Sequence, residues 1–237
     1  MQNLSLNLTD MLIVSLVGGL IALDRVSLFQ VMVSRPIVAA PVIGFLLGDV
    51  LTGLKAGFIL ELLWIGCLPV GAVVPPDETV VSLVITSAAI LCSRFMEGNR
   101  DELMILSLCL TVPASVFAMR MDSYVRKRNI LSAHDADKCA DSGDFKGVQR
   151  ACLKGLQRFY FGYVLVIFSF LLANMLLLPL LFPRLPSFVR EGLGLTFNLL
   201  PLIGLVMLLA AVRVKNTFRL FGASFIGGFC FLRVFYG

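Results

Sequence analysis

Residues 35–79 read RPIVAAPVIGFLLGDVLTGLKAGFILELLWIGCLPVGAVVPPDET, and they decide the fold class. The stretch sets single carboxylates, Asp49, Glu61 and Asp77, inside segments apolar enough to be lipid-embedded. A carboxylate at bilayer depth costs at least ~2.5 kcal/mol even on the gentler insertion scales. Glu61, flanked by Phe58, Ile59, Leu60, Leu62, Leu63 and Trp64, therefore reads as a pathway or ligand group. Pro69, Gly71, Pro75 and Pro76 interrupt the same stretch. Irregular backbone at membrane depth is tolerated only where protein covers it or a wet cavity adjoins it, so these residues predict a broken or re-entrant element.

The rest of the chain agrees. Of its 237 residues 58% are hydrophobic and 15% charged, and the mean hydropathy is +0.92, which leaves too little polar surface for a soluble domain of this size. The apolar runs are long and continuous rather than alternating, so helices are expected and a barrel is not. The predicted fold is all-α: an integral membrane protein of about seven to nine transmembrane or re-entrant helices with a broken Pro/Gly-rich element. Apolar segments fall at 4–23, 36–48, 56–74, 79–93, 103–119, 159–182, 193–212 and 218–235. Phe159 to Pro183 and Gly192 to Val212 carry no charge and are the firmest spans. Segment 36–48 is too short to cross alone: it either continues into its neighbours or ends half way. No basic residue precedes Arg25, so the run Met11 to Leu23 lacks the positive flank of a signal peptide and is read as a membrane helix.

Nine of the twenty basic residues lie between Arg120 and Arg158. The net charge of +5 is therefore explained by retention of positive loops in the cytoplasm, not by a nucleic-acid partner. The helix formers from Ala133 to Lys154, broken at Ser142 and Gly143, predict two short helices lying at the membrane surface. The loop holding Arg184, Arg190 and Glu191 and the segment Arg94 to Glu102 would be external, with Arg213, Lys215 and Arg219 cytoplasmic. Cys67, Cys92, Cys109, Cys139, Cys152 and Cys230 show neither C-x-x-C spacing nor a nearby histidine, and read as small apolar side chains, not metal ligands or disulfides.

The pattern SRPIVAAPVIGFLLGDVLTGLKAGFILELLWIGCLPVGAVVPPDE at 34–78, preceded by GGLIALDR and followed by ADKCADSGDF, resembles the membrane-embedded IIC component of the mannose/fructose/sorbose family of sugar phosphotransferase systems. The shared features are an Arg-Pro pair opening a helix, L-G-D at its end, a G-x-x-L-E step, a V-G-A turn running to P-D, and an acidic cytoplasmic segment. The resemblance covers the first two thirds of the chain. It implies a single membrane permease domain over 1–237, with residues 120–158 as a cytoplasmic polar segment within it. Such a subunit binds a hexose-like sugar and passes it inward, with phosphorylation by a IIB partner and phosphate arriving from phosphoenolpyruvate through IIA and IIB carriers. It also implies a IID-like membrane subunit, a trimer of IIC–IID pairs, location in the cell inner membrane, and no cofactor.

Four residues are the candidate sugar contacts. Glu61, the glutamate of the G-x-x-L-E step, would accept sugar hydroxyls; its alternative is a packing carboxylate bonded to backbone or to a serine. Trp64 lies three residues on, on the same helical face, as a stacking platform or an interfacial anchor. Asp77 reads as the N-cap of the next helix, with the Gly71 to Asp77 turn lining the pocket. Asp24, the aspartate of the L-D step, is either a ligand or gating group or a solvated helix end. Asp49 reads as a cap or a partner of Lys55. His134 is the single histidine and sits beside Asp135 in the polar segment, so a phosphohistidine nucleophile is not expected here. No P-loop, nucleophile elbow or zinc motif occurs, which argues against an intramembrane enzyme. A sugar sensor on the same fold would look the same in sequence.

Overall fold

A computed structural model of the protein describes residues 2–66, 75–96 and 98–211, together with the isolated positions 222 and 226. Pro69 and Gly71, most of the Gly71 to Asp77 turn, segment 218–235 apart from positions 222 and 226, Cys67, Cys230, Arg213, Lys215 and Arg219 lie outside the described residues. The described part is helical, without strands: α1 (Gln2–Val26), α2 (Pro36–Leu46), α3 (Val50–Trp64), α4 (Glu78–Cys92), α5 (Arg100–Asp141), α6 (Phe145–Leu181) and α7 (Ser187–Ala211), with a 3-10 turn over Phe182–Arg184.

By length and apolar composition α5, α6 and Ser187–Leu208 within α7 are able to cross a membrane. Helices α2, α3 and α4, of 11, 15 and 15 residues, reach only about 16 to 22 Å, short of the ~30 Å hydrocarbon core. Helix α2 starts at Pro36, whose missing N–H suits the first turn, and stops at Gly48, where φ of +83° needs glycine. Asp49 then caps α3, accepting from Thr52 N at 3.1 Å and Thr52 Oγ1 at 2.6 Å. The two helices form a tight hairpin. A Cβ on Gly53 would stand 2.6 Å from the Ala40 carbonyl oxygen, and one on Gly57 2.6 Å from that of Pro36, so these small residues let the two backbones touch.

Helix α4 is buried along its whole length. It packs against α1, α2, α3, α5 and α6, and its apolar side chains belong to both core clusters, one including α1, α5 and α6 residues and one including Ala56, Ile59, Leu60, Phe197 and Leu200. Its hydroxyls return to its own carbonyls, Ser82 to Thr79 and Ser87 to Leu83.

The polar segment 120–158 corrects the sequence expectation. The break at Ser142–Gly143 is real, with Gly143 at φ +74° and Asp144 N returning to Cys139 O at 2.8 Å. The flanking helices, however, are not separate surface elements. They are the continuations of α5 and α6, whose 42 and 37 residues run about 63 and 56 Å. Arg120 to Asp141 holds neither glycine nor proline, and Gly147 and Gly155 are accommodated inside α6, so the change of composition marks a change of surroundings and not a helix end. Arg190 and Glu191, expected in a loop, likewise lie inside α7.

Candidate functional site

The C-terminal end of α1, the N-terminal end of α2, the C-terminal end of α3 and the N-terminal end of α4 meet beside the middle of α5, where Asp77 N donates to Ser115 O at 3.2 Å. Helix ends carry unpaired backbone groups and partial charges, and the sequence supplies ionised side chains at each of them.

Glu61, in the last turn of α3, accepts from Arg35 Nε at 2.8 Å through Oε1, which Arg35 Nη2 also contacts. Its Oε2 accepts from the Ile37 backbone N–H at 3.3 Å. The Arg35 side chain makes no cap of its own to α2, so a carboxylate from the neighbouring helix serves one of the free amides of that helix start. Arg35 Nη1 also lies 3.8 Å from Glu78 Oε1. On the other side of Glu78, Arg25 Nη1 lies 3.1 Å from Oε2 and 3.0 Å from Asp77 Oδ1, while Arg25 Nη2 donates to Pro75 O at 3.2 Å. The result is a chain of alternating charge, Glu61, Arg35, Glu78, Arg25, Asp77, linking α3, α2, α4 and α1. Asp77 caps α4 as expected, its Oδ1 accepting from Val80 N at 3.0 Å.

Asp24 is not a solvated helix end. It is 6% exposed and accepts from Val31 N at 2.9 Å, Ser34 N at 3.2 Å and Ser34 Oγ at 3.3 Å. These bonds fold the loop after α1, in which Phe29, Gln30 and Met32 hold φ of 55°, 55° and 67°, a region that side-chain-bearing residues rarely occupy. Ser34 O in turn accepts from Thr79 Oγ1 at 2.8 Å, which ties this loop to α4. Ser27 and Leu28 border a cavity of about 470 Å³ whose other walls include Asn129, Ser132 and Phe159.

Trp64 is half-buried and packs with Leu63 against the apolar cluster that holds Phe197 and Leu200. Asp49 caps as expected, but its ionic partner is Arg100 and not Lys55; Lys55 pairs with Asp101 at 3.0 Å. The reason is direction: the Asp49 end of the hairpin abuts the start of α5, where Asn99, Arg100 and Asp101 cluster, and Arg94 adds bonds to Asp10 at 2.5 Å and to Leu47 O at 2.9 Å. His134 is exposed, with Nδ1 2.9 Å from Ile130 O. Among the described residues Cys92, Cys109, Cys139 and Cys152 are free thiols and no cluster of potential metal ligands forms.

Arg25, Arg35 and Glu78 are the members of the site that the sequence reading passed over. The signal was charge balance: carboxylates in apolar segments require buried counter-charges, and these arginines stand at the ends of the neighbouring apolar runs.

A family model described as the sorbose-specific IIC component of PTS systems matches residues 8–235. The sorbose-specific EIIC component of Klebsiella pneumoniae is 27% identical over 197 residues, covering 82% of this chain and 70% of that protein. The mannose-specific EIIC component of Escherichia coli K12 is 25% identical, covering 81% of this chain and 70% of its own length. The fructose permease IIC component of Bacillus subtilis is 22% identical, covering 94% and 78%. Two solved structures share the fold. One, described as a membrane protein, has a TM-score of 0.65 at 22% identity and covers 98% of this chain and 87% of its own. The other, the mannose transporter ManYZ in complex with microcin E492, has a TM-score of 0.56 at 21% identity and covers 98% and 88%. With the profile match extending over nearly its whole length, this chain belongs to the family of sorbose-specific IIC components of PTS systems.

Proposed function

We propose that this chain is the sugar-binding and translocating membrane subunit of a phosphoenolpyruvate-dependent sugar phosphotransferase system, with import coupled to phosphorylation by a IIB partner. The observation that carries the reading, beside family membership, is the chain of charges at the ends of α1 to α4 inside an apolar helical body. Four short helix ends bearing carboxylates and guanidinium groups suit a ligand rich in hydroxyl donors and acceptors. Glu61 and Asp77, with Asp24 and Trp64 beside them, are the proposed sugar-path residues. The proposed partners are a hexose-like sugar, a IID-like membrane subunit assembled as a trimer of pairs, and IIA and IIB phosphocarriers. Proposed placement is the cell inner membrane, with the tip of the α5–α6 hairpin in the cytoplasm on account of its basic excess.

The test is co-expression with candidate IID, IIA and IIB subunits, followed by a sugar-uptake panel in vesicles loaded with phosphoenolpyruvate. Accumulation of phosphorylated sugar that requires this chain is the expected result. Equilibrium sugar binding without uptake under any partner combination would overturn the transport reading and leave a sensor.

A further inference from the structure

A second buried polar group lies beside this network and takes no part in its ion pairs. Asp122 of α5 is 3% exposed. Its Oδ2 accepts from Arg126 Nε at 3.1 Å, but among the described residues its Oδ1 is buried without a partner, and so is the hydroxyl of Tyr163 on α6, a residue that is fully buried. Asp122 and Tyr163 interact electrostatically with each other and with Arg25 of α1 and Asp77 of α4. The charged residues of α7, Arg190 and Glu191, sit at the opposite end of α5, beside Asn99 and Glu102. Among the described residues, the ionisable groups that act on Asp122 are Arg25, Asp77, Tyr163 and, from its own helix, Arg126.

Charge balance is uneven here. The chain of Glu61, Arg35, Glu78, Arg25 and Asp77 holds three carboxylates to two guanidinium groups, and the Asp122–Arg126 pair stands beside it without joining it. The carboxylate without a second partner is Asp122. A carboxylate oxygen out of water and without a donor is among the most costly arrangements a protein can hold, and the usual relief is neutralisation. With Asp122 and Tyr163 this buried there is no opening for a sugar hydroxyl or a hydrated ion. The ligand that fits without added volume is a proton.

We propose that Asp122 is a proton-binding site, with one proton taken from water held on Oδ1 at neutral pH while Oδ2 goes on accepting from Arg126. The proton turns an unpartnered buried acceptor into a donor. It also removes a negative charge from beside a network already rich in carboxylates, so that Arg25 stays on Asp77 and Glu78 rather than being drawn toward a third carboxylate.

The test is infrared spectroscopy of the full-length chain, purified with its membrane partners, with side-chain carboxyls of aspartate isotopically labelled. The expected result is a protonated-carboxyl C=O band at neutral pH that shifts with the label, fades as pH is raised, and is absent from Asp122→Asn. In Asp122→Glu the band persists but loses its response to the label. If neither variant accumulates, Arg126→Gln, at a half-exposed position, is read instead, and loss of the Nε donor moves the band. The proposal is overturned by the absence of a label-sensitive protonated band in the folded wild type, by its survival in folded Asp122→Asn, or by an Arg126→Gln band that does not move.

Discussion

Arg35 and Glu61 join the start of α2 to the end of α3 across the hairpin, with Arg35 Nε 2.8 Å from Glu61 Oε1. The pair sits where the glycine-lined contact between the two helices ends, so it closes a hairpin that close backbone packing has already aligned. Glu61 is thus already engaged, and a sugar that used it would share its carboxylate with Arg35 and the Ile37 N–H.

That sharing sets the expectation for Glu61→Gln. The amide keeps the shape and loses the charge-assisted acceptor, which is roughly twice as strong as a neutral one. Loss of one such bond to a sugar hydroxyl costs on the order of 1.5 to 3 kcal/mol, or about 10- to 150-fold in affinity. Equilibrium sugar binding to the purified complex, with assembly checked by size exclusion, measures it. A well-assembled Glu61→Gln complex that binds within about twofold of the parent would make the pair a purely structural closure.

Asp24 has a structural duty that can be separated from any ligand role. It holds three donors of a loop with left-handed residues at 29, 30 and 32. Asp24→Asn loses one charged acceptor oxygen and is expected to destabilise the protein by about 1 to 3 kcal/mol, with faster proteolysis between Ser27 and Ser34. Unchanged melting and proteolysis, together with weakened sugar binding, would instead mark Asp24 as a ligand group.

Gly53→Ala is expected to damage the hairpin, because the new methyl group would stand 2.6 Å from the Ala40 carbonyl oxygen, a backbone atom that cannot step aside. Overpacking of this kind costs typically about 1 to 3 kcal/mol. Gly192→Ala, in α7 with nothing within 4 Å of the added carbon, is the control and should be neutral or slightly stabilising. Thermal unfolding in detergent measures both, and equal midpoints would show that the α2–α3 contact is looser than the backbone distances imply.

How much of this was legible beforehand varies with the physics involved. The all-helical membrane class followed from hydropathy, and the caps at Asp49 and Asp77 followed from short-range rules that need only neighbouring residues. The extension of α5 and α6 past the apolar segments was missed because hydropathy reports surroundings, whereas these helices continue until the backbone turns at Gly143. The partners of Glu61 and Asp49 were missed because Arg35 and Arg100 stand 26 and 51 residues away from them in the chain. Only the hairpin geometry chooses between Arg100 and the nearer Lys55.

The placement of the α5–α6 tip is open to direct labelling. Cys139 is the natural reporter, but a Cβ on Gly147 would stand 2.6 Å from its sulfur, so the thiol is half-covered. The neighbouring Ala140 is exposed. In a chain with all six native cysteines replaced by serine, Ala140→Cys is expected to react with membrane-impermeant maleimide only in opened cells or inside-out vesicles. Labelling in intact cells would reverse the assigned orientation.

Asp49 provides the pH dependence, since it lies in the turn between α2 and α3, outside both helices. Partial burial pushes its carboxyl up, but the Thr52 hydroxyl and N–H and the Arg100 guanidinium outweigh that and hold it below the ordinary 3.8. A group lowered on folding adds stability that is fully present above the unfolded value and is lost as pH falls through the folded one. Acidification below about 3.8 should therefore remove the Asp49 contribution and loosen the hairpin from the start of α5. Asp49→Asn should melt lower than the parent at neutral pH, and the two melting curves should draw together as the pH is lowered. Melting temperatures followed across that acid range are the measurement. A constant gap between variant and parent at every pH would show that the carboxylate acts through shape alone and not through its charge.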